Sequence, residues 1–261
     1  MCLITLNWQP GGKTPLIVAA NRDEFYARSA LALHRWPDQP ILAGQDEKAG
    51  GTWLGVGWGQ QSGAQTLRFA ALTNYRDIHH HRAEAPSRGH ITTAFLNSTM
   101  SAAAYLQALA KTADVYNPFN LIVFDGHALM GFESRHGRAL TLPPGISSVS
   151  NADFNTPWPK LLHLHAGVSQ ALALVDQDAM LEKTLFNLLS NARVASDAEL
   201  PQTGLSIDRE RTLSAAFIRT LDYGTRVSSV VRLGNQFALF TERSFDATGF
   251  KGEVSEHISL A

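Results

Sequence analysis

The stretch that decides the fold runs from residue 2 to residue 24 and reads CLITLNWQPGGKTPLIVAANRDE. Residues Cys2 to Trp8 suit a pleated strand, and Pro10-Gly11-Gly12 then breaks the run. The apolar run Leu16 to Ala20 predicts a second strand, which ends at the polar cluster Asn21-Arg22-Asp23-Glu24. We therefore predict a hairpin whose far end returns this polar cluster toward Cys2.

The rest of the chain alternates between hairpins and batches of helix. Apolar patterns and turn signals predict strands at 53–58, 68–74, 120–124, 128–132, 146–150, 226–232 and 237–242. Helical patterns fall at 91–96, 101–110, 159–164, 178–192 and 210–221. This order is not that of a doubly wound fold. It predicts an α+β fold with four layers, αββα, in which two mostly antiparallel sheets pack face to face in one domain, 1–261.

Composition excludes several classes of protein. Apolar residues form 44% of the 261 residues and charged residues 17%, as expected for a globular chain. The 22 basic and 23 acidic residues give a net charge of -1, so we expect no nucleic-acid partner. No apolar run suggests a transmembrane segment or a signal peptide, and we expect a cytoplasmic protein.

The single cysteine, Cys2, lies at a position where it can act as a nucleophile. Removal of Met1 would give Cys2 a free α-amine, which has a reference pKa of roughly 7.7–8.0 and can serve as the base for its own thiol. A cysteine is also a common buried apolar residue, and a polar run such as 21–24 is usually a solvated turn. If the hairpin forms, however, Asp23 can hold the α-ammonium and an arginine can favour the thiolate.

Motifs along nearly the whole chain resemble the NRDE family, also called the transport-and-Golgi-organisation type 2 family. They are Cys2, Asn21-Arg22-Asp23-Glu24, Gly51-Thr52-Trp53-Leu54-Gly55, Asn74-Tyr75-Arg76, Ser87-Arg88-Gly89, Asn117-Pro118-Phe119-Asn120, Ser150-Asn151, Thr156-Pro157-Trp158-Pro159-Lys160 and Tyr223-Gly224-Thr225-Arg226. The resemblance implies a fold like that of the N-terminal-nucleophile hydrolases. Because one fold hosts many functions, it implies the fold more strongly than the activity.

The same resemblance implies roles for individual residues. Cys2 corresponds to the nucleophile of these hydrolases and Asp23 to the carboxylate beside the α-amine. The oxyanion hole corresponds to the Asn151 side chain and the Asn74 backbone N–H.

The arginines fit this pattern less closely. In the hydrolases an arginine precedes the Asn-x-Asp pattern, and Ala20 takes its place in this sequence. We expect the side chain of Arg22 to lie on the face of the strand opposite to Ala20. A further hydrolase arginine corresponds to Arg211, or alternatively to Arg226. An arginine near Cys2 is expected to lower the pKa of the thiol below roughly 8.5.

Two classes of function follow from this sequence. The first is an amide or thioester hydrolase or acyltransferase that works through an acyl-cysteine and requires no cofactor. The second is a carrier of haem or of an acyl-CoA or lipid metabolite, since the family resemblance implies haem trafficking. His79, His80, His81 and His90 are its candidate ligands, although a solvated histidine loop is the commoner structure. A structural adaptor has no positive support. The expected partner is thus a small molecule: an amide, an acyl-CoA or haem.

Overall fold

The computed structural model describes residues 2–61, 63–78, 80–175 and 177–260. Within these ranges the chain forms thirteen strands and five α-helices. The strands are β1 (Cys2–Trp8), β2 (Leu16–Phe25), β3 (Ala30–Arg35), β4 (Ile41–Asp46), β5 (Leu54–Gln61), β6 (Ala64–Asn74), β7 (Phe119–Phe124), β8 (Leu129–Glu133), β9 (Arg138–Thr141), β10 (Gly145–Val149), β11 (Tyr223–Leu233), β12 (Phe237–Asp246) and β13 (Gly249–Ser259). The helices are α1 (Gly89–Asn97), α2 (Ala102–Leu109), α3 (Pro159–Leu174), α4 (Asp178–Leu189) and α5 (Ile207–Leu213).

The strands form two antiparallel sheets. The six-stranded sheet has the order β10-β1-β2-β11-β12-β13, and the seven-stranded sheet runs from β3 to β9 in chain order. The predicted hairpin of β1 and β2 forms with Cys2 paired to Arg22 and Trp8 paired to Leu16. The prediction of an α+β fold with mostly antiparallel sheets is therefore confirmed.

The largest apolar core lies between the two sheets. Alternate residues of β1 and β2, including Ile4, Leu6 and Val18, point into it and meet Val56 and Phe69 of the other sheet. Intervening residues such as Leu3 point the other way, because side chains of a strand alternate between its faces. Residues 2 and 22 therefore belong to the face between the sheets, and residues 21 and 23 to the outer face.

Helices cover the outer face of each sheet. Apolar residues of α1 and α2, such as Phe95 and Leu106, pack on the seven-stranded sheet. Residues of α3 and α4, such as Leu164 and Leu185, pack on the six-stranded sheet together with Leu3. In the ranges that the structure describes, no helix is both long and apolar enough to cross a membrane.

The structure corrects one predicted helix. The pattern over 210–221 predicts a helix, but α5 ends at Leu213. Beyond it the backbone makes tertiary hydrogen bonds instead of helical ones: Phe217 N donates to Asn191 O at 2.8 Å, and Thr225 N donates to Ile218 O at 2.8 Å. The buried Ala215, Ala216 and Ile218 are therefore spaced as in a helix, although this segment is not helical.

Asn21, the first residue of the polar cluster, fastens the sheet to the segments behind it. Its side chain is fully buried, and Nδ2 donates to Leu189 O at 2.8 Å and to Ala216 O at 2.7 Å. Its Oδ1 accepts from Ser228 Oγ at 2.7 Å. Asn21 therefore joins β2 to the end of α4, to the segment after α5 and to β11, and it fixes the strand that carries Arg22 and Asp23.

We predict that Asn21→Ala lowers the free energy of unfolding by about 3 kcal/mol, because several buried polar groups lose their partner at once. Urea denaturation measures this change. Ser228→Ala is the matched control, since it removes one of the three hydrogen bonds and should lower stability by about 1 kcal/mol. Equal effects of the two substitutions would contradict the role assigned to Asn21.

Candidate active site around Cys2

Cys2 and Arg22 lie directly opposite each other at the end of the β1–β2 pair. Directly opposed residues of an antiparallel pair project to the same face, so both side chains point between the sheets. The expectation that Arg22 lies on the opposite face is wrong, because Ala20 and Arg22 are two residues apart and share a face. Arg22 therefore occupies the side of the strand on which a cation can act on the Cys2 thiol.

A cavity of about 470 Å³ opens at this end of the two sheets, and Cys2 and Arg22 form part of its wall. Asn74, at the end of β6, and Trp53, just before β5, contribute from the seven-stranded sheet. The loop before α1 closes another side, with Arg88 in the wall. A single cysteine thus borders a space large enough for a small organic molecule.

Close approach of two glycines shapes this cavity. A Cβ atom on Gly51 would lie 2.6 Å from the carbonyl carbon of Gly89, so only glycine fits there. Both residues belong to the cavity wall. The contact holds the start of α1 against the segment before β5 and explains why the Gly51-Thr52-Trp53 motif begins with glycine.

The cavity wall carries a network of paired charges. Arg22 Nη2 lies 3.5 Å from Glu24 Oε2 and 3.7 Å from Asp46 Oδ2, and Arg28 Nε lies 2.6 Å from the same Asp46 oxygen. Burial raises the pKa of Asp46, but hydrogen bonds from Arg28 and the Ala49 N–H outweigh it and hold that pKa below its ordinary value. Arg22 therefore shares its charge between two carboxylates.

Arg88 differs from Arg22 because it pairs with no carboxylate among the described residues. Its Nη1 donates to Pro118 O at 3.0 Å. Burial lowers the pKa of Arg88, and the charges of Cys2 and Glu24 oppose that effect. Sequence reasoning did not select Arg88 as a site residue, although it lies in the Ser87-Arg88-Gly89 motif. This motif was the signal that pointed to it.

The Cys2 thiol lies in a strongly desolvated position. Only 5% of Cys2 is exposed, and burial raises the pKa of its thiol while the charge of Arg22 acts in the opposite direction. The net direction is opposite to the expected lowering. The reason is that desolvation of the thiolate outweighs the attraction of an arginine that carboxylates already neutralise.

Asp23 has a separate environment on the helix-facing side of β2. It accepts a hydrogen bond of 2.7 Å from Thr225 Oγ1 and is 1% exposed. Burial raises the pKa of Asp23, and the charge of the buried Lys160 ammonium lowers it. Lys160, in the first turn of α3, is a site residue that sequence reasoning missed, although it ends the Thr156-Pro157-Trp158-Pro159-Lys160 motif.

The two asparagines predicted for the oxyanion hole contact each other. Asn151 Nδ2 donates to the backbone carbonyl of Asn74 at 2.8 Å, and Asn151 Oδ1 accepts from Ser150 Oγ at 3.1 Å. Ser150 Oγ also donates to the carbonyl of Cys2 at 2.9 Å. These bonds connect β10, β6 and β1 next to Cys2, and they leave the second N–H of the Asn151 amide for another acceptor.

The remaining predicted arginines lie away from the cavity wall. Arg226 Nη1 donates to the carbonyls of Phe25, Tyr26 and Arg28 at 3.2, 3.0 and 2.9 Å, which fixes the segment after β2. Arg211 is partly exposed on α5 and pairs with Asp197 and Asp208. The structure therefore brings Cys2, Arg22, Asp23, Asn74 and Asn151 together and does not bring Arg211 or Arg226 to the cavity.

The histidines do not share one site among the described residues, and His79 lies outside the described residues. His80 Nδ1 lies 2.7 Å from Asp77 Oδ1, and His90 Nε2 lies 2.5 Å from Ala49 O. His81 contributes to the cavity wall. In the described ranges, no group of three or more His, Cys, Asp or Glu side chains is arranged to hold a metal ion.

Fold and site together define an α+β protein with two antiparallel sheets and a cysteine-bordered cavity at their open end. A family model described as "Transport and Golgi organisation 2" matches residues 1–247. The chain is 34% identical to the Transport and Golgi organization protein 2 homolog of Bos taurus and 31% identical to that of Homo sapiens, each over 94% of this chain and 93% of the relative. Identity to Transport and Golgi organization protein 2 of Drosophila melanogaster is 27%, over 90% of this chain and 89% of the relative. The chain belongs to the Transport and Golgi organisation 2 family, as its motifs predict.

Glu242 of β12 is, after Arg88, the second residue of the cavity wall that was not predicted from the sequence. It is 2% exposed, and its Oε1 accepts from Leu33 N at 2.8 Å. Burial raises the pKa of Glu242 to about 7, while the Leu33 hydrogen bond and the charge of Arg22 act in the opposite direction. The folded protein therefore retains a proton on Glu242 at pH values where the unfolded chain has released it.

We predict that this proton makes stability depend on pH. As pH rises from about 4.5 to about 7, the free energy of unfolding of the wild-type protein should fall relative to that of Glu242→Gln by about 3 kcal/mol. The difference should stay constant below and above this interval. Urea denaturation at several pH values measures it, and Glu47→Gln, at an exposed position, is the matched control. A constant difference throughout would contradict the assignment.

Proposed function

We propose that this protein is an N-terminal-nucleophile cysteine hydrolase or acyltransferase with the four-layer αββα architecture of that class, acting on a small amide or thioester. The observation that carries the proposal is the position of Cys2. It is the single cysteine of the chain, it lies at the first position of a buried strand, and it borders a cavity of about 470 Å³ that Arg22 and Asn74 also border.

The raised pKa of the thiol makes a nearby base necessary. The α-amine of Cys2, once Met1 is removed, accepts the thiol proton, and the sulfur attacks the carbonyl carbon of the substrate. The resulting ammonium returns the proton to the leaving amine or thiolate, which departs and leaves an acyl-cysteine. Water, deprotonated by the same amine, then attacks the acyl group, and the carboxylic acid and the thiol are released.

The asparagines support the tetrahedral intermediate in this proposal. Asn151 is held by its bonds to Asn74 and Ser150, so its amide is preorganised and need not reorient during the reaction. Its free N–H and the Asn74 backbone N–H are the proposed donors to the oxyanion. Arg22 is the arginine whose charge lowers the pKa of the thiol, and Arg88, in the same cavity wall, adds a second positive charge beside it.

A second candidate function is carriage of haem, of an acyl-CoA or of a lipid metabolite in the same cavity, with no cofactor needed for chemistry. His81 in the cavity wall favours it, because an imidazole there can ligate haem iron. His80, His90 and His79 are the other candidates from the sequence. In this case Cys2 contributes to the wall without forming a covalent intermediate.

We predict that protein expressed without an N-terminal extension lacks Met1 and is acetylated at Cys2 by phenyl thioacetate. Intact-mass spectrometry should show the loss of one methionine and the transient gain of one acetyl group, with thiophenol released. Cys2→Ala should abolish the acetylation and the release of thiophenol. Protein that keeps one residue before Cys2 is the matched control. It retains the thiol but has no free α-amine at Cys2, so it should not hydrolyse phenyl thioacetate.

Two results would refute this mechanism: Met1 on nearly all molecules, or undiminished hydrolysis by Cys2→Ala. Haem titration of the same proteins separates the carrier function. Saturable haem binding that His81→Ala abolishes and Cys2→Ala leaves intact would establish carriage in place of hydrolysis.

We predict that Asn151→Ala reduces kcat for phenyl thioacetate by about 10²-fold with little change in KM, because an oxyanion donor acts in the transition state. The substitution also removes the bond to Asn74, so its free energy of unfolding is measured alongside. Asn187→Ala, at an exposed position of α4, is the control and should leave kcat unchanged. A change in KM alone would show that Asn151 only binds the substrate.

A further inference from the structure

A group of buried charged side chains lies behind Cys2, on the face of the six-stranded sheet that α3 covers. Asp23 and Lys160 are 1% and 3% exposed. Beside them Arg76 and Glu210 form an ion pair of 2.6 Å, with both side chains 4% exposed. Of these four, only Asp23 has an expected role, as the carboxylate beside the α-amine, and Lys160 has none.

Lys160 is held in place by the helix on which it lies. It follows Pro159 at the start of α3, and its neighbour Leu161 packs into the same core as Leu3 of β1. Its Nζ makes no hydrogen bond with any described residue. Burying an ammonium without a hydrogen bond costs several kcal/mol unless a nearby charge compensates it, and a purely structural role is better served by an apolar side chain.

Burial lowers the pKa of Lys160 to about 8, and the charge of Asp23 raises it. Lys160 is therefore mostly charged at neutral pH. Asp23 and Lys160 place opposite charges next to the end of β1. A carboxylate there favours the protonated form of the Cys2 α-amine, and an ammonium favours its neutral form. With Asp23 alone, the amine would keep its proton and could not act as a base.

We propose that Lys160 is a positioning residue that offsets the charge of Asp23 and so keeps the α-amine of processed Cys2 able to accept the thiol proton near neutral pH. This inference rests on the proposed function, in which that amine is the base. Lys160 itself contacts neither the substrate nor the reacting atoms in this scheme.

Other charged groups that face Lys160 change this balance little. Arg76 and Glu210 compensate each other through their own ion pair. Beyond Lys160, a small cavity of about 20 Å³ is bordered by groups that are exposed to solvent, and water screens their charges. These groups are His163, Arg193 and Glu199. On the side of β1 and β2, the facing groups are the Cys2 thiol and Asp23.

Because Cys2 is the single cysteine of the chain, isotope labelling of cysteine makes its α-amine directly observable. Protein labelled with ¹³C,¹⁵N-cysteine carries one reporter, and a fusion cleaved immediately before Cys2 gives the free amine whatever the processing in the cell. Cysteine Cα and Cβ shifts are followed from about pH 5 to about pH 10, a range that covers both amine and thiol. Wild type, Lys160→Met, Lys160→Gln and Lys160→Arg are compared, with Lys183→Met, at an exposed position of α4, as the control.

We expect the amine midpoint to rise by about one pH unit in Lys160→Met and Lys160→Gln, and to stay near the wild-type value in Lys160→Arg and Lys183→Met. The acid limb of the pH profile for phenyl thioacetate hydrolysis should move in the same direction, which a merely structural lysine would not cause. If one neutral variant does not fold, the other supplies the titration.

An unchanged amine midpoint in the folded neutral variants would overturn the inference. This result is distinct from failure of the proposed function, because the titration uses no substrate. If wild type does not hydrolyse phenyl thioacetate and the midpoint still shifts, Lys160 controls the amine but the hydrolase proposal fails. If wild type hydrolyses and the midpoint does not shift, only the role of Lys160 is refuted.

Discussion

The register between β1 and β2 is the constraint on which the rest of this site depends. Pairing of Cys2 with Arg22 fixes which of the four residues 21–24 point between the sheets and which point to the helices. A slip of one residue would exchange the two sets and would turn Ile4 and Val18 out of the core between the sheets. The same apolar packing that stabilises the hairpin therefore also determines the polar groups around the thiol.

At the end of β2, the side chains on the two faces of the strand lie in different electrostatic environments. Between the sheets, Arg22, Arg28, Glu24 and Asp46 form a connected network beside an open cavity. On the helix side, Asp23 and Lys160 are sealed from solvent, where each charge acts with little screening. The backbone end of Cys2 lies where the two environments meet, so its thiol and its main-chain nitrogen experience different fields.

Much of this arrangement follows from the sequence, and the parts that do not have identifiable causes. The first hairpin, the Asp125-Gly126 turn and the start of α3 at Pro159 follow from local chemistry. Strand β13 was not predicted because many of its side chains are exposed and only Val254 and Ile258 of its apolar residues pack against the core between the sheets. Strands β3 and β9 were also not predicted, because they are only six and four residues long and many of their side chains are exposed.

The candidate site divides in the same way. Cys2, Asp23 and the two asparagines were found because motifs mark them, whereas the partners of each residue depend on contacts distant in sequence. Glu242 lies 209 positions from Leu33, to which it is hydrogen-bonded, and no local pattern reveals such a bond. The burial of Lys160 likewise depends on how α3 docks onto β1, which periodicity alone does not specify.

The loop before α1 forms one side of the cavity. His81, Arg82 and Arg88 belong to the wall. The Asn117 side chain exchanges two hydrogen bonds of 2.8 Å with the Arg82 backbone, and the Arg82 and Arg88 side chains donate to backbone carbonyls of the segment 114–118. The opposite side, at Cys2 and Arg22, belongs to the buried sheet, whose strands are held by the apolar core between the sheets. The two sides of the cavity are therefore set by separate parts of the chain, and a change in the length or charge of the loop would alter the shape and charge of the cavity while leaving the β1–β2 pair that carries Cys2 and Arg22 in place.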